Sequence, residues 1–205
     1  MAEKIGKKYN REWIFKGINQ EFSSPNSYLV SGSNGAGKST FLQVISGFKT
    51  PSDGKITYHK AKVKHLTPTE LIYKEVAYVA PYISVFEEYT MQELISFYTK
   101  FKPRKNNMGY TEFVETIELS HAKNKAIKNF SSGMKQRVKL GLAILAETDI
   151  LLLDEPTSNL DKSAIKWYQN LIKENLDDRL IFVASNDKEN EAFFCKNELK
   201  IEDYK

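Results

Sequence analysis

The chain has 205 residues, 41% of them hydrophobic and 27% charged, with a net charge of +4. That length suits one α/β domain with a buried core, and the scattered lysines read as a solvated surface, so no direct nucleic-acid partner is expected. One cysteine, Cys195, excludes an internal disulfide, and no apolar run approaches the roughly 20 residues of a membrane span.

Residues 1–9 are charged and lack a signal-peptide core, so a soluble, cytoplasmic chain is expected. Residues 1–30 read as short strands with polar turns, among them Trp13-Ile14-Phe15 and Tyr28-Leu29-Val30. Next comes Gly32-Ser33-Asn34-Gly35-Ala36-Gly37-Lys38-Ser39, which fits G-x-x-x-x-G-K-[ST] at every fixed position. After it, Phe41, Leu42, Val44 and Ile45 recur at helical spacing, and Gly47 is a suitable C-terminal cap. A loop between strand and helix is what a phosphate cradle requires. Glycines let consecutive N–H groups turn inward, and the helix adds its positive end. The pattern implies a nucleoside triphosphate, with Lys38 on the outer phosphates and the Ser39 hydroxyl on Mg²⁺.

Pro51-Ser52-Asp53-Gly54 predicts a turn and 55–58 a strand; 75–79 predicts another strand. Thr90-Met91-Gln92-Glu93 has capping-box form and opens a predicted helix through Phe101. Further helices are predicted over 111–119 and 133–147, so about 86–135 reads as a helical insert. Ile150 to Leu153 and Leu180 to Ala184 are apolar runs of strand length, joined by a helix over about 162–175; this predicts a parallel crossover unit. The first run ends in Asp154-Glu155-Pro156. A carboxylate at a strand tip can hold Mg²⁺, and the adjacent Glu155 can polarise a water.

Together these residues resemble the ATP-binding subunit of ABC transporters over nearly the whole chain. Phe130-Ser131-Ser132-Gly133-Met134 stands where that family keeps its LSGGQ signature, and Ser158-Asn159-Leu160-Asp161 matches its D-loop. Tyr9 lies where the family keeps an aromatic that stacks on adenine. The resemblance implies one domain, 1–205. Its α/β P-loop NTPase core would have a mostly parallel sheet, an N-terminal antiparallel β part, and a helical signature subdomain at about 86–135. It implies ATP and Mg²⁺ as ligands. Gly32, Ser33, Asn34, Gly35, Ala36, Gly37, Lys38, Ser39 and Thr40 would line the nucleotide, with Ser39 and Asp154 on the metal. Glu155, Lys38 and Asn186 would form the catalytic set. Ser131 and Gly133 would serve a second subunit's γ-phosphate, and Asp161 would lie near the seam. That makes the expected partners a second copy or a close relative, and membrane permease subunits on the inner face of the cell membrane.

The family pattern breaks in three places. Where the family carries a Gln after the strand at 76–79, this chain reads Ala80-Pro81-Tyr82. Its switch histidine is replaced at Ala184-Ser185-Asn186-Asp187 by Asn186, which cannot carry a proton charge. Ser132 and Met134 replace a signature glycine and glutamine. Slow hydrolysis is therefore expected. The compact length resembles exporter subunits, including the heme-exporter type. Two other readings stand beside transport: cofactor assembly, and a regulator that closes on ATP but scarcely hydrolyses it. Tyr82, Ile83, Val85, Phe86 and Tyr89 read either as a docking groove for a membrane partner or as filling of the helical insert.

Overall fold

The structure is a computed structural model that describes residues 1–60, 66–176 and 178–205. Among the described residues, ten strands and six α-helices follow in chain order: β1 (Ala2–Tyr9), β2 (Glu12–Gln20), β3 (Asn26–Ser31), α1 (Lys38–Ile45), β4 (Asp53–Ile56), β5 (Tyr58–His59), β6 (Leu66–Thr67), β7 (Val76–Val79), α2 (Met91–Thr99), α3 (Tyr110–Thr116), α4 (Ser132–Ile144), β8 (Ile150–Asp154), α5 (Lys162–Glu174), β9 (Leu180–Ala184), α6 (Lys188–Glu191) and β10 (Asn197–Lys200). The central sheet is parallel, in the order β10-β3-β9-β8-β7. A separate antiparallel sheet runs β2-β1-β4.

The apolar runs explain this layering. A strand sends successive side chains to opposite faces, so a continuous apolar run needs cover on both. Ile150, Leu152, Phe182 and Ala184 face one core, shared with Phe41 and Leu42 of α1 and with Ile5, Phe15 and Ile18 of the antiparallel sheet. Leu151, Leu153, Ile181 and Val183 face the other, shared with α2 through α5. Leu94, Ile95, Phe113 and Ile117 belong to that second core, so the helical insert and the sheet share one apolar interior.

Several boundaries differ from the sequence expectation, for local reasons. β4 starts at Asp53, inside the expected turn, because Gly54 (φ +71°) lies so close to β1 that a Cβ would meet the Glu3 carbonyl at 2.3 Å. It stops at Ile56, where the Thr57 N–H turns to the Met1 carbonyl at 3.0 Å. Glu75 caps a 3₁₀ turn over Thr69–Lys74 and lies outside β7. The capping box at Thr90 and Glu93 forms, but α2 ends at Thr99, two residues early. There Phe101 N–H bonds the Tyr98 carbonyl in a tighter turn, and Thr99 Oγ1 bonds back to the Ile95 carbonyl at 2.7 Å. α3 runs Tyr110–Thr116 and α4 runs Ser132–Ile144, each shifted towards its N-terminus from the expected range. Crossing residue 135 unbroken, α4 packs against β7 and α5.

α4 lies close to α3 because Gly141 has no side chain. A Cβ there would meet Ile117 Cγ2 at 2.4 Å and Phe113 Cζ at 3.1 Å, both on fully buried residues. Alanine improves helix propensity by about 1 kcal/mol, whereas overpacking costs about 1–3 kcal/mol and at 2.4 Å falls at the upper end. Gly141→Ala is therefore expected to destabilise the chain by about 1–2 kcal/mol in urea unfolding. A stabilised variant would mean that α3 moves aside without cost.

Candidate functional site

The tips of β3, β8 and β9 come together in register, with Val30 beside Ala184 and Asp154 beside Ala184. Loops leaving the carboxyl ends of parallel strands form a crevice there. The loop 32–37 turns at this edge. Gly32 (φ +141°) and Gly37 (φ +110°) adopt a backbone that a side chain would strain, and a Cβ on Gly37 would meet Ile14 at 2.3 Å. Gly35 (φ +79°) has nothing within 4 Å of a Cβ position, leaving its backbone open to a ligand.

Lys38 is only 6% exposed. Its ammonium donates to the carbonyls of Gly32 (2.7 Å) and Ser33 (3.2 Å) and to Asn186 Oδ1 (3.1 Å). A buried ammonium held at a glycine loop by neutral acceptors is suited to an anion. Asn186 also donates from Nδ2 to Asn34 Oδ1 at 2.8 Å, so the expected switch position does reach the phosphate loop. Ser33 is committed elsewhere: its N–H (2.9 Å) and hydroxyl (2.6 Å) both donate to Glu202 Oε1. Within the loop the Ala36 N–H closes on the Ser33 carbonyl at 3.0 Å.

Asp154, 3% exposed at the tip of β8, lies beside the Ser39 side chain and accepts from the Tyr78 hydroxyl at 3.4 Å. Burial raises its pKa, while the neighbouring Ser39 and Tyr78 hydroxyls pull the other way. Burial, with the same contact with Asp154 behind it, raises the pKa of Tyr78. A carboxylate and a hydroxyl side by side are hard oxygen donors, and they fit Mg²⁺. Glu155 is exposed next to them and adopts φ +45°, a left-handed backbone uncommon for a residue other than glycine. Its N–H is tied to the Ala184 carbonyl at 2.9 Å. Strain of this kind concentrates where a side chain must be aimed.

Tyr9 ends β1 near Thr40 in the first turn of α1, accepting from the Lys49 ammonium. The Lys49 bond lowers its pKa. Lys49 and Lys7 lie 4.9 and 5.6 Å from the ring centroid, so a base stacking there has to share the ring with them. Ser131 caps α4, its Oγ accepting from Met134 N–H at 3.2 Å, and Gly133 lies against the Asn159 carbonyl. Asp161 caps α5 by accepting from Ala164 N–H at 2.8 Å, the bond that chiefly lowers its pKa. None of the described hydrogen bonds joins Ser131, Gly133 or Asp161 to the phosphate loop.

Pro81 follows β7, and the Ala80 carbonyl before it accepts from Lys139 of α4 at 3.4 Å. The aromatic segment divides: Tyr82 is 99% exposed and Ile83 and Phe86 face out, while Val85 and Tyr89 pack on the core. A cavity of about 200 Å³ opens between this segment and α4. Sequence reasoning missed four side chains at the site. Tyr78 lies inside an apolar run. Glu202, Glu191 and Gln136 find partners 169, 34 and 20 residues away, and nothing local marks them.

Comparison with known proteins agrees with this geometry. A family model described as ABC transporter matches residues 15–158. The chain is 30% identical over 76% of its length to ATP-binding cassette sub-family A member 10 of Homo sapiens, and spans 10% of that protein. It is 30% identical over 90% of its length to the cytochrome c biogenesis ATP-binding export protein CcmA of Rhizobium meliloti, and spans 89% of it. Among solved structures, a bacterial ABC transporter cassette in dimeric form superposes with a TM-score of 0.79, at 23% identity, over 98% of this chain and 93% of that one. That likeness shows the P-loop NTPase α/β fold. With the matched family model covering most of its length, the chain belongs to the ABC transporter family, as an ATP-binding cassette of that family.

Proposed function

We propose that this chain binds and hydrolyses ATP to power a membrane transporter. The reading is carried by one juxtaposition: a complete glycine-lysine loop whose Ser39 lies beside the buried Asp154, with Glu155 next in the chain. In this reading the Lys38 ammonium and the amides from Asn34 to Ser39 hold the β- and γ-phosphates. Tyr9 stacks the adenine. Ser39 and Asp154 would hold Mg²⁺, which when bound neutralises phosphate charge. Glu155 orients a water for in-line attack and takes its proton. Ser131 and Gly133 would serve a second cassette, because the start of a capped helix suits a γ-phosphate. That implies a symmetric pair of this chain, or a pair with a close relative, with Asp161 near the seam. Opening and closing would pass through the helical stretch at about 86–135 to a permease. The exposed Tyr82, Ile83 and Phe86 beside the cavity suit that contact.

Steady-state Mg²⁺-ATP turnover of the purified chain, with and without its membrane fraction, tests the reading. Phosphate release that rises with membranes is expected; none in either condition would leave a binding-only subunit. That second reading is motivated by Pro81, which offers neither an N–H nor a polar side chain, and by Asn186. A histidine at 186 that bonds the γ-phosphate as a charged donor contributes roughly 1.5–3 kcal/mol, about ten- to a hundredfold in rate. Asn186→His is therefore expected to raise turnover by about tenfold, since the amide already supplies part of this. An unchanged rate would mean that position 186 is not the switch.

A further inference from the structure

We infer that Glu191 is a positioning residue that holds Glu155 and Asn186 in a fixed mutual arrangement. This rests on the role given to Glu155 above. Glu191 is 5% exposed, and its carboxylate is fully engaged. Oε1 accepts from the Thr157 N–H at 2.8 Å and the Thr157 hydroxyl at 2.6 Å. Oε2 accepts from the Ser185 hydroxyl, whose oxygen in turn accepts from the Asp187 N–H at 2.8 Å. Thr157 lies two residues after Glu155, and Ser185 directly precedes Asn186. One buried carboxylate thus fastens the loop carrying the water-orienting group to the loop carrying the residue that meets Lys38.

The anchoring continues behind it. The Glu191 carbonyl accepts from the hydroxyl of Tyr168, a fully buried side chain of α5, at 2.7 Å. The Glu191 N–H closes on the Asp187 carbonyl at 3.0 Å. The carboxylate therefore has little freedom to follow a shift of either loop. On the other side, the Pro156 carbonyl is held by Gln136 Nε2 at 2.7 Å, which ties the same loop to the signature helix α4. Glu155 directly precedes these two ties, in its left-handed conformation. Backbone of that kind persists only when its surroundings over-determine it. None of the described Glu191 bonds reaches the phosphate loop, so its removal should disturb the aim of Glu155 and Asn186 and spare ATP binding.

The test compares Glu191→Ala, Glu191→Gln and Ser185→Ala, with Glu155→Gln as control, measuring turnover, ATP affinity and melting midpoint. Misplacing a reacting group by about 1 Å costs on the order of a hundredfold. Glu191→Ala is expected to lower kcat at least about tenfold while ATP affinity stays within about threefold. Glu191→Gln should recover most of the rate, since its amide oxygen still accepts from Thr157 and its NH₂ can donate to the Ser185 oxygen. Ser185→Ala should fall between. A Glu191→Ala protein that melts earlier yet keeps full kcat would overturn the inference. If that variant does not fold, an unchanged kcat in Ser185→Ala would overturn it just as well. Turnover that survives in Glu155→Gln would instead remove the role of Glu155, a distinct failure.

Discussion

Lys38→Ala is expected to weaken ATP binding by about a hundredfold or more. A hydrogen bond from a charged group contributes about 1.5–3 kcal/mol, and a lysine across two phosphates makes at least two. Two such bonds sum to at least about 3 kcal/mol, or more than a hundredfold in dissociation constant. The ammonium is already desolvated, since only 6% of the residue is exposed, so the bonds are made at little further cost. Its present acceptors are two carbonyls and the Asn186 amide oxygen, all neutral, and a phosphate is a stronger acceptor than any of them. Lys38→Met keeps the buried stem and separates loss of charge from loss of packing. Titration of a fluorescent ATP analogue measures the effect, and unchanged affinity in both variants would remove the phosphate loop as the binding site.

Glu155→Gln is expected to lower turnover by about 10²–10⁴-fold while ATP binding persists. Gln matches Glu in shape and demands nothing new of the φ +45° backbone, so the loop and its bond to Ala184 remain. In the proposed mechanism, what is lost is the ability to take a proton from water. In the same proposal affinity rests on Lys38 and the glycine loop, which the exchange does not touch. Phosphate release under single turnover, beside equilibrium binding, gives the two numbers. A rate within threefold of the unaltered chain would mean that another group, or the phosphate itself, takes the proton.

Much of the fold and part of the site were legible in the chain because their determinants are local. The glycine-lysine loop needs residues at fixed offsets, and the β8 and β9 runs need only unbroken apolarity. The capping box at Thr90 answers a donor three residues away. Boundaries were less legible. α2 and α4 end where the last turn tightens or the C-terminal cap forms, and β4 begins where β1 comes close, choices set by neighbours that no window of sequence contains.

The sequence by itself determined the phosphate loop, the Asp154-Glu155 strand tip, the parallel crossover and the family. It did so because each is written in adjacent residues or in one periodicity. The tertiary structure alone decided the rest. It turned Tyr82 and Phe86 outward while Tyr89 packed inward, and it brought Lys7 and Lys49 over the Tyr9 ring. It bound Ser33 to Glu202 and gathered Thr157 and Ser185 on Glu191. Such partners lie far apart or across loops. A buried polar group takes whichever partner the packed sheet edge presents, so its role is set by the completed fold.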